Sequence, residues 1–400
     1  MNVLFLTTFN VCPQNGGTER ITYSLAKALN SLKENFECFS LYKIRHEFNY
    51  ISNQDSIFKN EEQAESVQEI TDYIRKNSIN ICIAQGMLDV VKPLKKELQK
   101  ESCDCKVIFV HHFSPGWEAN FITVRHLVNS LTHGKLNFKL LTNLLLYLAA
   151  QFYKRVHLRF VYRNVYSYSD KVVLLSANFI PIFSKYAFVS NPDKFFIIPN
   201  MLSYPDYIDE KRIPEKKKHV LIVSRLDENQ KKIKSALKIW KIVKKDERAA
   251  DWKLIIVGEG SDKKFYEIYA AKNHLQNVDF EGQREPKNYY LDSSIFMLTS
   301  KSEGWGLTLT EAQQFGCVPL AFDTYASLGD IITRGRGDGF VIPKGKLRLY
   351  ADKIIELMTD EKLRYSMAVN GIKSSARFAP DAVVDKWCEL FKSLDGDDDK

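Results

Sequence analysis

Two glutamates, Glu303 and Glu311, carry the strongest chemical signal in the chain. They bracket Gly304 and Gly306, after an apolar run at 295–298 and before a helical one. In a strand–turn–helix of this kind, glycines let the backbone approach a ligand, and the free N–H groups at the helix start attract phosphate oxygens. Glu311 then lies about one and a half turns inside the helix. The pattern predicts a site for a diphosphate between two polyhydroxylated rings; the alternative is an ordinary surface loop.

Two cations follow the first strand expected in the second half of the chain. Arg225 comes directly after the apolar run 219–224, and Lys231 follows six residues later. Arginine can fork the oxygens of a diphosphate while lysine acts as a point charge, so the pair could neutralise a departing diphosphate. Isolated cations are usually solvated, and Lys232 and Lys234 are expected to line a solvated helix face. The position of Arg225 and Lys231 at a strand end favours a binding role.

Glycine-containing turns follow several other expected strands. Gly16 and Gly17 open the first helix, where a helix terminus favours negative charge, although a plain helix cap explains them equally well. They do not form the Gly-x-Gly-x-x-Gly fingerprint of dinucleotide-binding proteins, so NAD loses its main support. Gly258 and Gln283 lie in turns where backbone groups could contact a nucleobase, and each is as well explained as a turn alone.

A pair of histidines, His111 and His112, ends the fourth expected strand. The carboxyl ends of parallel strands are where α/β proteins bind ligands, so one imidazole could contact the reacting sugar. The alternative is a strand-end histidine whose ring nitrogens bond to the backbone. The sequence does not decide which of the two would face the sugar.

Apolar runs alternate with helical periods along the whole chain, which is typical of βαβ units on parallel sheets. We therefore predict an α/β fold of two Rossmann-like domains whose parallel sheets face each other across a cleft. The expected strands are 3–7, 36–41, 79–84, 106–111, 171–175, 195–198, 219–224, 252–257, 278–281, 294–298, 318–322 and 339–342. The expected helices are 19–32, 61–76, 88–100, 231–246, 262–274, 306–315, 347–358 and 361–377.

A chain of 400 residues is expected to form two domains rather than one. Residues 204–218 hold two prolines and many charges without apolar periodicity, so we interpret them as the linker. The expected parts are an N-terminal Rossmann-like domain, the linker, a C-terminal Rossmann-like domain, a helix that could pack back on the first domain, and a disordered acidic tail. Their bounds are 1–203, 204–218, 219–378, 379–394 and 395–400, respectively.

An insertion at 121–168 follows the fourth strand. It contains the apolar run 140–150 between basic residues, and it has no acidic residue from 121 to 163. The run is too short to span a bilayer, which takes about 20 residues. Basic flanks with tyrosine and phenylalanine suit a helix lying on an anionic membrane surface, and buried core helices are the alternative.

Composition narrows the class of protein. Hydrophobic residues make up 45% and charged residues 26% of the chain, as in ordinary globular proteins. The scattered cysteines suggest reduced thiols in the cytoplasm, and Cys103 and Cys105 lack the second ligand pair that a metal site would need. The amino terminus lacks a basic leader and reads as a strand. The net charge of +8 permits nucleic-acid binding, but no aromatic-interleaved basic motif supports it.

Together these motifs resemble the retaining nucleotide-sugar glycosyltransferases of family 4, which have the two-domain GT-B fold. The resemblance covers nearly the whole chain except 121–168. It rests on the Glu-x7-Glu motif from Glu303 to Glu311, on Arg225 with Lys231, and on three further runs. These runs are Gly16-Gly17-Thr18-Glu19-Arg20, Ile198-Pro199-Asn200 and Gly316-Cys317-Val318-Pro319-Leu320-Ala321-Phe322-Asp323.

The resemblance implies that 1–203 is the acceptor domain and 219–378 the nucleotide-sugar donor domain, and it implies a role for each matching residue. Arg225 and Lys231 would hold the donor diphosphate, and Glu311 would accept hydrogen bonds from the ribose hydroxyls. Glu303 would contact the hydroxyls of the transferred sugar, and His111 would be the histidine at the end of the fourth strand. The backbone N–H groups that would help are those of Gly17, Gly304, Trp305, Gly306 and Leu307. Lys232 and Ser224 stand where glycine is common in the family, which affects fine geometry rather than charge.

We therefore expect a cytoplasmic glycosyltransferase that acts at the inner face of the cell membrane and needs no metal or other cofactor. Its partners would be a UDP- or GDP-sugar, a glycan or lipid-linked acceptor, and an anionic membrane surface. One alternative keeps the fold but uses a soluble sugar or sugar-phosphate acceptor; a distant one is a basic nucleic-acid-binding protein. The sequence does not identify the nucleotide, the sugar, the acceptor, the linkage or the oligomeric state.

Overall fold

The computed structural model describes residues 1–13, 16–32, 35–45, 57–118 and 138–395, with side chains described from 152 onward in the last range. The chain divides into two units. The first comprises Met1–Ile198 together with the chain from Trp387 onward, and the second comprises Pro199–Lys386. Each unit contains one parallel sheet with helices, so the predicted α/β class is confirmed.

The first unit is built on a seven-stranded parallel sheet in the order β3-β2-β1-β4-β5-β6-β7. Its interior strands are buried on both faces, as parallel strands covered by helices are: Val3, Leu4 and Phe5, for example, are fully buried. The strands are β1 Asn2–Phe9, β2 Glu37–Ile44, β3 Glu61–Gln63, β4 Ile81–Gln85, β5 Lys106–His111, β6 Lys171–Leu174 and β7 Phe195–Ile197. The helices are α1 Gly17–Asn30, α2 Val67–Lys76, α3 Val91–Lys100, α4 Phe138–Tyr168 and α5 Ile180–Ala187.

The second unit has a six-stranded parallel sheet in the order β10-β9-β8-β11-β12-β13. Its strands are β8 Lys217–Val223, β9 Lys253–Val257, β10 Val278–Gly282, β11 Ser293–Leu298, β12 Val318–Asp323 and β13 Phe340–Pro343. Its helices are α6 Ile233–Val243, α7 Lys263–Lys272, α8 Lys287–Asp292, α9 Leu307–Gln314, α10 Leu328–Ile331, α11 Leu347–Thr359 and α12 Glu361–Ser375. Strands β8 and β11 are adjacent at the centre, so their carboxyl ends lie side by side.

The last helix, α13 Pro380–Asp395, ends in the first unit. There the ring of Phe391 lies 5.9 Å from that of Phe36, centroid to centroid. The acidic tail expected at 395–400 falls outside the described residues except for its first residue.

The helix expected at 61–76 is wrong in its first part. Residues Glu61–Gln63 form the edge strand β3, and α2 begins only after Ser66. The Ser66 hydroxyl accepts a hydrogen bond from the Glu69 N–H, and the Glu69 carboxylate accepts one from the Glu65 N–H. These two reciprocal bonds fix the amino-terminal end of α2. The Glu61 carboxylate also accepts from the Val11 N–H at 3.0 Å, which the local sequence could not indicate.

Residues 204–218, which we expected to form a linker, are built into the second unit. The Gln314 side-chain amide donates to the carbonyls of Tyr204 and Asp206 at 2.8 and 2.7 Å. At the other end, the Lys216 ammonium donates to the carbonyls of Tyr290, Leu291 and Ser293 at 2.7–2.9 Å, and burial lowers its pKa. The polar segment 204–218 is therefore tied to the rest of the second unit by hydrogen bonds at both ends.

The insertion at 121–168 is described only from Phe138 onward, as the 31-residue helix α4. The rest of the insertion lies outside the described residues, as do the side chains of the apolar run 140–150. In its second half, α4 packs Leu158, Tyr162, Val165 and Tyr166 into the first unit. Among the described helices, none has an apolar stretch long enough to cross a bilayer.

Candidate functional site

The turn after β8 presents Arg225 to solvent. The side chain of Arg225 is 64% exposed, so its guanidinium can reach a ligand. One of its nitrogens donates to the Gln230 side-chain oxygen at 3.0 Å, and the Gln230 amide nitrogen donates to the Ser302 carbonyl at 3.1 Å. Gln230 therefore ties the Arg225 turn to the turn that carries Glu303.

Lys231 and Glu303 form an ion pair at the same sheet edge. The Lys231 Nζ lies 2.7 Å from the Glu303 Oε1, and the two side chains are only 18% and 11% exposed. The Thr299 hydroxyl, at the end of β11, donates to the carbonyls of Lys231 and Lys232 at 3.1 and 3.2 Å. The neighbouring strands β8 and β11 thus bring together two motifs that are far apart in sequence.

The glycine turn after β11 leads into α9. Gly306 has φ 98°, a conformation that favours glycine, and a Cβ at this position would lie 2.9 Å from the Tyr325 hydroxyl oxygen. The Ser327 hydroxyl donates to the Gly304 carbonyl at 2.8 Å, which fixes the other side of the turn. The Leu307 N–H lies at the start of α9, where the first N–H groups of a helix generally lack an intrahelical partner and can bind an anion. Further into the turn, the Leu309 N–H donates to the Gly306 carbonyl at 2.8 Å.

Glu311 lies in α9 with no exposed surface. Its two carboxylate oxygens accept hydrogen bonds from the Ser203 hydroxyl at 2.6 Å and the Tyr290 hydroxyl at 2.8 Å. In this arrangement Glu311 joins α9 to the start of the second unit and to α8. Its contact with a ribose remains a prediction.

The turns at Gly258 and Gln283 lie at the same end of the sheet. Gly258 has φ 137°, and a Cβ there would fall 2.0 Å from the Ser224 carbonyl oxygen. A Cβ on Gly260 would meet the Leu226 carbonyl oxygen at 2.4 Å. Both glycines therefore allow the Arg225 turn to pass close to the end of β9. The exposed Gln283 follows β10, and the structure records no side-chain contact that assigns it a role.

His111 and His112 lie in the first unit and are both buried. His111 Nδ1 contacts the Phe113 carbonyl at 2.9 Å and Nε2 contacts the Tyr162 hydroxyl at 2.8 Å, while His112 Nε2 bonds to the Gln85 side-chain oxygen. Burial lowers the pKa of His111 to about 4 and that of His112 to about 3, so both rings are neutral at pH 7. Both rings therefore have protein partners, and their contact with a sugar remains a prediction.

Gly16 and Gly17 stand where they were expected, at the start of α1. Gly16 precedes the helix in an extended conformation, and a Cβ there would lie 2.6 Å from the Glu19 carboxylate. The Glu19 carboxylate is the end of a flexible side chain and could move aside, so this contact alone does not require glycine, and the binding role stays a prediction.

Several residues that shape this site were missed from the sequence. Gln230, Thr299 and Ser327 hold the two turns by side-chain bonds to distant carbonyls, which no local pattern reveals. Tyr325 carried a usable signal, because it comes shortly after β12 and so belongs to the same sheet edge.

Residues 203–374 match a family model described as glycosyl transferases group 1. The amylovoran biosynthesis glycosyltransferase AmsD of Erwinia amylovora is 30% identical over 178 residues, which cover 44% of this chain and 48% of that protein. The poly(glycerol-phosphate) alpha-glucosyltransferase of Bacillus subtilis is 26% identical over 204 residues, covering 50% and 30%. The alignments therefore span about half, or less, of these curated relatives.

Two solved structures resemble nearly the entire chain. Anabaena HepE in complex with UDP has a TM-score of 0.74 at 15% identity, covering 98% of this chain and all of that one. The apo form of the lipopolysaccharide outer core galactosyltransferase WaaB has a TM-score of 0.66 at 15% identity, covering 98% and 99%. At this identity the likeness shows the fold alone, and it confirms the predicted GT-B class.

Proposed function

We propose that this chain, whose residues 203–374 match the group 1 glycosyl transferases, moves a sugar from a nucleotide-sugar donor to a glycan or lipid-linked acceptor. The acceptor would belong to the synthesis of a cell-surface polysaccharide or glycolipid. One observation carries the proposal: Arg225, Lys231 and the Glu303 turn converge at the carboxyl ends of β8 and β11.

The chemistry follows from where charge develops. As the glycosidic bond to the nucleotide breaks, the sugar becomes oxocarbenium-like and negative charge grows on the departing diphosphate. Arg225, Lys231 and the N–H groups at the start of α9 supply fixed positive potential for that charge. Such groups stabilise the transition state more than the ground state, which is what accelerates a reaction.

We assign the remaining roles in the same proposal. The Glu303 carboxylate binds hydroxyls of the transferred sugar, and Glu311 binds the ribose. The anomeric configuration is retained by attack from the face that the leaving group vacates, without an enzyme nucleophile. Because the leaving group is neutralised by side chains, the reaction needs no divalent cation.

The proposal also places the enzyme on the cytoplasmic face of an anionic membrane. Support comes from the described part of α4, where Phe152 and Tyr153 are 72% exposed and Phe160 is 62% exposed. Arg155 and Arg163 are exposed on the same helix. Exposed aromatic rings among cations suit the headgroup region of anionic lipids.

Replacement of the two cations tests the reaction. Arg225→Ala and Lys231→Ala should each lower kcat/KM at least about 100-fold, the usual loss for one preorganised donor at a developing charge. The measurement is release of nucleoside diphosphate from a panel of UDP- and GDP-sugars, with and without EDTA. Wild-type turnover should survive EDTA.

Lys238→Ala is the matched control, because Lys238 is an exposed lysine on α6 outside the site. Its kcat/KM should equal that of the wild type, and both Lys238→Ala and Arg225→Ala, at exposed side chains, should keep the wild-type melting temperature within a few degrees. Lys231→Ala also leaves the Glu303 carboxylate without its cation, so its melting temperature should fall, and its activity is compared at a temperature where it stays folded. Full activity in Arg225→Ala and Lys231→Ala would refute the assigned roles. Loss of activity in EDTA that Mg²⁺ or Mn²⁺ restores would refute metal independence.

A further inference from the structure

Tyr325 follows β12 and turns its side chain back under the glycine turn. The residue is only 7% exposed, and its hydroxyl has no hydrogen-bond partner within the part of the chain that the structure describes. That oxygen lies 2.9 Å from the position that a Cβ on Gly306 would take. The hydroxyl is therefore held at the start of α9, inside the candidate donor site.

An unpaired buried hydroxyl costs folding free energy that a phenylalanine at the same place would avoid. Buried polar side-chain groups in proteins almost always have a partner, so each exception calls for an explanation. Burial and the nearby Glu303 carboxylate raise the pKa of Tyr325 well above its usual value, so the hydroxyl keeps its proton and can donate.

Glu303 belongs to the same turn as Gly306, beside which the Tyr325 hydroxyl lies, and its charge acts on that hydroxyl. Its Oε1 is now bound by Lys231, and the side chain is 11% exposed, so water offers it little compensation. In the proposed reaction the donor diphosphate competes for the same Lys231 ammonium. A buried carboxylate that loses its cation needs another hydrogen-bond donor.

We infer that Tyr325 is a positioning residue for Glu303. When the diphosphate draws Lys231 away, the Tyr325 hydroxyl donates to the Glu303 carboxylate and keeps it aimed at the hydroxyls of the transferred sugar. The inference rests on the proposed function, and it names a residue outside the motifs that the sequence singled out.

The test compares Tyr325→Phe with Tyr350→Phe. Tyr350 is equally buried, but its hydroxyl donates to the Leu320 carbonyl at 2.5 Å, so only this control loses a bond within the protein. Tyr325→Phe should keep or raise the melting temperature, whereas Tyr350→Phe should lower it. Tyr325→Phe should also lower kcat about 10- to 100-fold, as expected for a bond to a charged group, with the donor KM changed less than about threefold.

A double-mutant cycle with Glu303→Ala shows whether Tyr325 acts through Glu303. If it does, Tyr325→Phe causes no further loss of kcat once the carboxylate is gone. Full additivity would overturn the inference, and so would a Tyr325→Phe variant that is destabilised like Tyr350→Phe but keeps the wild-type kcat. Absence of turnover in the wild type would refute the proposed function itself, so the two failures are distinguishable.

Discussion

Lys232 occupies a backbone conformation that few side chains adopt. Its φ of 56° and ψ of 39° are left-handed, which costs an L-residue about 1–2 kcal/mol relative to the right-handed helix. The Thr299 hydroxyl holds its carbonyl from the end of β11, so the surrounding structure maintains the conformation. A glycine would adopt this conformation without that cost, and with lysine in place Lys231 is still directed at Glu303.

His112 should make the first unit sensitive to acid. Burial, with His111 beside it, lowers the pKa of His112 from 6.5 to about 3 in the folded state. Folding therefore depends on the neutral ring: this contribution is complete above pH 6.5 and is lost as the pH falls toward 3. The loss is about 1.4 kcal/mol for each pH unit within that window.

Denaturant unfolding at pH 7, 6 and 5 measures this dependence. His112→Gln keeps a nitrogen able to donate to Gln85 but cannot take up the proton, so its free energy of unfolding should fall less steeply with pH than that of the wild type. His157→Gln, at an exposed histidine of α4, should keep the wild-type slope. Equal slopes in His112→Gln and the wild type would contradict the prediction.

At the scale of elements, the turn after β8 depends on glycine in the turn after β9. Because a Cβ on Gly258 would fall 2.0 Å from the Ser224 carbonyl oxygen, Gly258→Ala must displace the backbone that carries Arg225. We expect a loss of about 3 kcal/mol or more in the free energy of unfolding, as for incompatible backbone changes and overpacking. Donor binding should weaken as well, which calorimetry with UDP or GDP would measure.

Gly329→Ala is the control for this substitution. Gly329 lies in α10 and has no strained φ, and the space that its Cβ would occupy is open to a radius of 4 Å. Alanine should leave the stability unchanged or raise it by up to about 1 kcal/mol, because it loses less entropy than glycine on folding. If both variants have wild-type stability and affinity, glycine at 258 is not needed to hold the Arg225 turn in place.

Among the described strands, the sequence predicted those that follow apolar runs and missed the polar edge strand β3. Strands such as β5 and β11 are continuous apolar runs, and their expected bounds agree with the structure to within one residue. Strand β3 is made of Glu61, Glu62 and Gln63 at a sheet edge, so neither hydrophobicity nor alternation marks it. Its pairing with β2 is a tertiary effect that local propensity cannot show.

The sequence predicted several residues of the candidate site but not which of their side chains contact each other. Placing Arg225, Lys231 and Glu303 at strand ends required only the alternation of strands and helices. The Lys231–Glu303 ion pair required the knowledge that β8 and β11 are neighbours, although many residues separate them in sequence. The unpaired hydroxyl of Tyr325 depends on the path of the chain after β12, which spacing does not encode.

At the scale of the whole molecule, charge is spread unevenly along the chain. The net charge is +8, yet residues 119–169 contain no acidic residue. In the described part of α4, one set of side chains is buried, and another set, made of aromatic rings and arginines, is exposed. A surface of this kind gains from anionic lipid both by charge and by apolar contact.

Vesicle flotation of the folded 400-residue chain tests the membrane contact. The wild type should float with phosphatidylglycerol vesicles and not with phosphatidylcholine vesicles, less so at high salt, because screening weakens attraction to the surface. Arg155→Glu with Arg163→Glu should abolish flotation, since each cation contributes about 1 kcal/mol near an anionic surface. Both side chains are exposed, so the melting temperature should not change.

Reversing the same number of charges on another helix shows whether lipid binding needs the exposed face of α4 or only the positive net charge. Lys238→Glu with Lys241→Glu changes the net charge by the same amount, but on the exposed side of α6 in the second unit. This variant should float like the wild type. Equal loss in both double variants would mean that net charge alone attracts the protein to lipid. Flotation that survives in the α4 variant would instead exclude this helix as the contact, whereas a wild type that does not float would favour the soluble sugar or sugar-phosphate acceptor.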